Sequence, residues 1–364
     1  MLNNVVMFLN LASDPAIDWN PVWSDDGRFL YFLSDRGGAM NLWRVAIDES
    51  TGRERGAPES VPLPADEVIY LARSGKRWVY GAFSTRSNVI RFDFDPQRSA
   101  VVGGPHTLLS TTRSVRSAAV SPDGTLIGFS TMRPQDDLYV LSTQGGAPTQ
   151  LTDDPEFDRY VSWSPDGGRL IFLSFRGDRY EVYGIRPDGS GFEKLTETEG
   201  DFWSPVFSPR GDRLVVSLAQ GLALFDTSGP PPWRSFERIP PPAEPPRSNF
   251  SRVIWSPEGD RLAGYVYRGN APRRAAVLDL ATRSYRLFAP PSWSVGWYPD
   301  GRRLLVHHEG RLATLDLSTW RAVPVEGSPV LGDRLSASRD LRTLVLIEDD
   351  RQADIWLAEE LPAK

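Results

Sequence analysis

The chain of 364 residues has no cysteine, three histidines and only three lysines, Lys76, Lys194 and Lys364. Without cysteine there is no disulfide, thiolate nucleophile or thiolate metal ligand. His307 and His308 are adjacent in a stretch read as a strand, so their side chains leave opposite faces, and His106 stands far off. A catalytic metal needs about three convergent ligands, so neither a metal nor a cofactor is expected. No run approaches the roughly 18 apolar residues of a membrane span, which argues against an integral membrane protein. Val5 to Leu11 is apolar but follows no basic residue and precedes no small-residue cleavage site, which makes a poor signal peptide. The formal net charge of -6 argues against a nucleic-acid partner, whose phosphates call for a basic surface. Also absent are G-x-S-x-G, H-E-x-x-H and G-x-G-x-x-G, and Gly75-Lys76 lacks the upstream glycine of a phosphate loop.

What the chain has in abundance is turns, with 31 glycines and 31 prolines. The stretch Ser162 to Thr196 shows their use. Trp163 ends one strand-like run, Ser164-Pro165-Asp166-Gly167 turns the chain, and Arg169 to Ser174 rises as a second strand. A polar loop leads to a third strand through Val182, Tyr183 and Ile185, and Pro187-Asp188-Gly189 leads to a fourth at Phe192 to Thr196. The turn glycine recurs as Gly27, Gly75, Gly124, Gly167, Gly211, Gly259 and Gly301, with Leu341 in an eighth position. Four residues earlier stand Trp23, Leu71, Val120, Trp163, Phe207, Trp255, Trp297 and Ala337.

A period of 40 to 50 residues with four short strands suits a radial propeller, because one such sheet cannot cover both of its apolar faces. The expected fold is therefore all-β: an eight-bladed β-propeller of four-stranded antiparallel blades, one domain over residues 1–364. The eighth copy stops after its third strand, at Trp356 to Glu360, and Val5 to Leu11 looks like an unattached fourth strand. The ring is expected to close by this N-terminal strand completing the last blade, which removes open sheet edges. Pro230 to Pro246 interrupts the fifth copy and reads as a stiff link around an ordinary outer strand, with a docking ligand as the alternative.

The W-S-P-D-G turn, the Ser-x-x-Gly-like loop and the Ile/Leu-Trp/Tyr third strand resemble the TolB-type, WD-repeat-like propeller family. The resemblance spans essentially the whole chain and is closest at Trp23 to Val45, Val120 to Thr152, Trp163 to Thr196 and Trp255 to Leu262. An eight-bladed ring also resembles the propellers attached to bacterial serine/threonine kinases and to dipeptidyl-peptidase-like hydrolases, although neither catalytic domain is present in this sequence. The resemblance implies an extracytoplasmic location and leaves function open, because these residues build turns and blade contacts.

Asp25, Asp26, Asp123, Asp166, Glu258 and Asp300 are read as turn residues, and the arginines of Ser34-Asp35-Arg36, Ser84-Thr85-Arg86, Ser130 with Arg133 and Ser174 with Arg176 as ties between blades. Eight positions before each marker, by contrast, stand Trp19, Glu67, Arg116, Arg159, Trp203, Ser251, Trp293 and Asp333, which share no residue type. At the start of the innermost strands they would ring one mouth of the channel, where aromatic and arginine side chains make good anchors. The expected function is a non-catalytic binding module, monomeric, recognising a protein or peptide through this face. A sensor of a small sugar-like or anionic ligand in the central channel, and a hydrolase or lyase with channel carboxylates, are the alternatives.

Overall fold

The structure, a computed structural model, describes residues 18–36, 40–48, 50–63, 67–132, 136–177, 179–200, 202–330 and 334–358. Val5 to Leu11 and Asp333 lie outside the described residues, so neither the closing strand nor that rim position is placed. Every described element is a strand, and six copies of the repeat each form a complete antiparallel sheet in the order of the chain. Sheet B spans Ser114–Val120 to Thr149–Gln150, sheet C Phe157–Trp163 to Glu193–Lys194, and sheet D Trp203–Phe207 to Glu237–Ile239. Sheet E spans Asn249–Trp255 to Ser284–Leu287, and sheet F Ser292–Trp297 to Arg321–Pro324.

The repeated turn explains why each sheet begins where it does. In sheet C the Ser164 hydroxyl donates to the Asp166 carboxylate (2.6 Å), while the N–H groups of Gly168 and Arg169 donate to Asp166 (3.0 Å) and Ser164 (2.9 Å). The same serine–aspartate pair recurs at Ser24 and Asp26, Ser121 and Asp123, and Ser338 and Asp340. These carboxylates therefore stabilise turns. Just before the turn, the indole N–H of Trp163 donates to the carbonyl of Ala119, that of Trp255 to Val206 and that of Trp297 to Ile254. Each ring is buried, and each bond reaches the first strand of the preceding sheet. The tryptophan series is thus a sheet-to-sheet fastening, with burial supplying the energy and the N–H the register.

The expectation of eight four-stranded sheets is not met among the described residues, which form six sheets of four strands and one of five. The second and eighth copies share the five-stranded sheet. In both, the second and third strands run on without a loop, as Arg77–Asp95 and Thr343–Ala358. The two long strands are neighbours: the Phe94 N–H donates to the Arg342 carbonyl (2.9 Å), and the rings of Tyr80 and Trp356 stack with centroids 6.4 Å apart. Both contacts fit one antiparallel register. The expected loop Ser84-Thr85-Arg86 is consequently part of a strand.

Where no boundary was expected in the chain, its contacts group into two compact units, 1–86 with 349–364, and 87–348. The smaller unit holds a four-stranded sheet from Asp18–Trp23 to Glu59–Ser60, packed on Glu67–Ser74 and its partner strand through Leu33, Leu42, Val68, Leu71, Trp78 and Tyr80.

In the larger unit the second strand of the eighth copy is joined by residues 87–95 and then by Ala100–Thr111, giving a four-stranded arrangement that begins at Leu335–Ala337. Ile90, Phe92 and Phe94 are buried there with Leu344, Leu346, Tyr298 and Leu341. First strands pack in succession, B on C, C on D, D on E, E on F, F on Leu335–Ala337, and that strand back on Ser114–Val120. Arg334 fastens the last step by donating to the Val115 carbonyl. The edge that a third strand of the eighth copy was expected to cover is taken by residues 87–95, because their apolar side chains gain burial in that cluster.

Candidate functional site

The rim positions share a backbone device. Arg159, Trp203 and Ser251 pair with Leu173, Ser217 and Tyr265 of their second strands, and directly after each the register slips at a β-bulge. The next residues, Tyr160, Ser204 and Arg252, have φ of 57°, 51° and 48°. Arg116 lies within the bulge between Val115 and Ser117, and the slip after Trp293 falls between Ser294 and Gly296. A bulge twists the strand and re-aims the side chain beside it. Left-handed backbone at a non-glycine residue is held only where its surroundings enforce it, here the pairing on either side.

Arg116, Arg159, Trp203, Ser251 and Trp293 thus occupy equivalent places on successive first strands of the larger unit. Trp19 and Glu67 precede the same bulge and belong to the smaller unit.

The chemistry differs around the rim. Arg159 donates through Nε to Asp136, and the Arg116 Nη2 lies 3.5 Å from the same carboxylate. The Asp136 side chain is 1% exposed, while both arginines keep 24%. The Arg159 guanidinium also lies 4.8 Å from the Phe157 ring centroid and 5.7 Å from that of Tyr180. On sheet F, Trp293 stacks on His307 at 3.8 Å with an 11° interplanar angle, and Arg273 lies over both Trp293 and Tyr265. Trp203 is more than a third exposed. Asp136, Arg273 and Phe157 escaped the sequence reading because they sit in loops or one or two places off the ruler. The adjacent pair Asp136-Asp137, between two arginine-bearing strand starts, was the available signal.

The loop arginines prove structural in a different way from that expected. Arg36 holds both oxygens of Asp18 (2.9 and 2.8 Å) and Arg176 holds Asp154 (2.5 Å), each also bonded to its own loop serine, Ser34 or Ser174. Asp18 begins the same sheet and Asp154 lies in the link leading into it, so these arginines brace one sheet. A groove of about 700 Å³ over Phe225 and Phe236 is a weaker candidate, since its carboxylates Asp212, Asp226 and Glu237 are engaged by Ser208, Ser228 and Arg283. Among the described residues no group of three His, Asp or Glu could hold a metal.

Beneath the rim, burial pushes the Asp137 carboxyl up to about 6, reinforced by Asp153 and opposed by Arg113. Burial also pushes Asp158 up to about 6, against the pull of Ser174, Thr152 and Arg176. A carboxyl raised in the folded state contributes stability that is complete below its unfolded value near 3.8 and is lost as pH rises through 6. The melting temperature should therefore gain from acidification between pH 7.5 and 5, and the gain should shrink in Asp158→Asn, which carries no charge at either pH. An equal gain in variant and wild type, followed by thermal denaturation, would contradict this assignment.

Residues 66–227 match the TolB β-propeller domain family. Over that segment the chain is similar to TolB-type β-propeller domains. A TolB homologue of Chlorobium luteolum is 34% identical over 52% of this chain and 45% of its own length. An uncharacterized protein of Agrobacterium fabrum is 28% identical over 70% of this chain and 86% of its own length. A chain of a nidogen/laminin complex superposes with TM-score 0.51 at 11% identity, covering 72% of this chain and 98% of that one, which speaks for the fold alone. The matched segment includes three of the larger unit's rim strands, with Arg116, Arg159 and Trp203.

Proposed function

We propose that this TolB-type propeller is a non-catalytic binding module that docks a protein or peptide partner on the rim of its larger unit, through Arg116, Arg159, Trp203, Ser251 and Trp293. The observation that carries the reading is the repetition of one backbone device beneath unlike side chains. The fold accounts for the bulge and not for the variety on it. The six-sheet succession beneath this surface supplies a preorganised support, which lowers the ordering cost of association. The TolB-type resemblance supports a partner outside the cytoplasm. An exposed tryptophan on a rim that also carries arginines fits a protein surface, where both residue types act as anchors.

In affinity capture from the native source, Trp203→Ala should lower recovery of a partner at least tenfold, corresponding to the roughly 1.4 kcal/mol or more expected of a buried aromatic anchor. Trp19→Ala, in the other unit, should leave recovery unchanged. Equal recovery by wild type and Trp203→Ala would reject this rim.

A further inference from the structure

We propose that Arg116 and Arg159 form a site for one carboxylate group of the docking partner. The inference deepens the rim reading above and rests on it. Each guanidinium carries five N–H donors. Arg159 spends Nε on Asp136, and no hydrogen bond from its two Nη groups is found among the described residues. The nearest approach of Arg116 is the 3.5 Å contact from Nη2 to that same carboxylate, and its Nε is buried without a partner.

Two cations thus face one buried anion, with donors left over. Rings flank the more engaged cation: the Arg159 guanidinium carbon lies 4.8 Å from the Phe157 ring centroid and 5.7 Å from that of Tyr180, contacts that restrict the side chain. Asp136 draws the two side chains to one point and competes with a ligand for their donors.

Charge selects the class of ligand. The neighbouring Asp137 carries a second carboxyl, with Asp153, Asp154 and Arg113 acting on it. A second anion beside the Asp136 carboxylate meets repulsion that doubles for a dianion such as phosphate, so a single negative charge is better tolerated. A carboxylate matches the guanidinium fork in shape and charge. It can come from an Asp or Glu side chain or from a chain terminus.

The test needs no partner. Arginine Nε–H signals of the full chain, assigned through Arg116→Gln and Arg159→Gln, are followed by NMR during titration with sodium acetate and, separately, inorganic phosphate at constant ionic strength. The two signals should shift saturably with acetate and bind phosphate more weakly, and either substitution should weaken acetate at least fivefold. Asp136→Asn, which releases both guanidiniums, should tighten acetate severalfold, an effect that a purely structural pair would not give. Unsaturable shifts, stronger binding of phosphate, or acetate affinity unchanged in Arg159→Gln would overturn the proposal. Should Asp136→Asn not fold, the arginine variants decide alone. Full-strength acetate binding with no partner captured through Trp203 would sink the docking reading and leave the anion site standing, and the reverse result would do the opposite.

Discussion

Residues 87–348, produced without the rest of the chain, should fold as a monomer that unfolds in one cooperative transition, whereas residues 114–348 should not fold. The larger unit contains all its own strand partners: the strands that cover the edge of the eighth copy come from 87–95 and Ala100–Thr111. Starting at Ser114 removes both. It strips Ile90, Phe92 and Phe94 from a cluster that also holds Tyr298, Leu305, Leu344 and Leu346, and takes Val89 from the neighbouring one. Truncating one buried phenylalanine to alanine costs about 3–5 kcal/mol. Two phenylalanines and an isoleucine together approach or exceed the roughly 5–15 kcal/mol that holds an ordinary domain folded. The backbone N–H and C=O groups along Thr343 to Glu348 would lose their partners as well. Near-UV circular dichroism and a thermal scan decide the matter. A fragment 87–348 with native-like secondary structure but no fixed aromatic signal, or a fragment 114–348 as stable as it, would refute the strand exchange. Eight self-contained sheets predict the opposite, since cutting at Ser87 would then sever the second sheet and leave the eighth unfinished.

The strand exchange was written in the chain in a form that counting turns does not detect. Between second and third strands the other copies contain Gly37 and Gly38, Pro134, Gly177, Gly221, Gly269 or Gly310. From Ala82 to Asn88 and from Glu348 to Asp354 there is neither glycine nor proline. Those are the two stretches that stay extended, as residues without a turn signal should. The repeated turn, the tryptophan fastenings and the alternation of buried strands were legible because each is settled by residues close in sequence. Pairing of 87–95 with a strand more than 200 residues away is not local, and its register is set by burial in a cluster assembled only after folding. The rim was half legible. Variety at Arg116, Arg159, Trp203, Ser251 and Trp293 marked the position, but nothing local distinguished these from Trp19 and Glu67. The bulge was invisible because Tyr160, Ser204 and Arg252 are not residues that announce a left-handed backbone.

Gly221→Ala should be the most damaging single methyl in the larger unit. Gly221 has φ of +94° at the tip between the second and third strands of sheet D, and a Cβ there would overlap the carbonyl oxygen of Ile239 and lie 3.2 Å from the Cα of Pro240. Both obstacles are backbone, in a segment that Pro240 to Pro242 stiffens, so neither can swing away. Left-handed backbone costs an alanine about 1–2 kcal/mol. Overpacking adds about 1–3 kcal/mol. At roughly 2–4 °C per kcal/mol for a unit of this size, the melting temperature should fall by about 10 °C. Gly189→Ala separates the two causes: its φ is +84° with nothing within 4 Å of the added carbon, so it bears the backbone term alone and should lose only a few degrees. Equal losses in the two variants would show that Ile239 yields, and would remove the clash from the account. The damage should reach the rim, because Gly221 accepts from the Leu218 N–H (2.9 Å) and donates to the Asn249 side chain (3.2 Å), while Asn249 in turn donates to the Leu218 carbonyl. Those bonds join the second strand, whose Ser217 pairs with Trp203, to the start of the next sheet's first strand, where Ser251 stands. A displaced tip therefore disturbs two neighbouring rim positions at once, and in Gly221→Ala partner capture should fall along with stability, while Gly189→Ala keeps it.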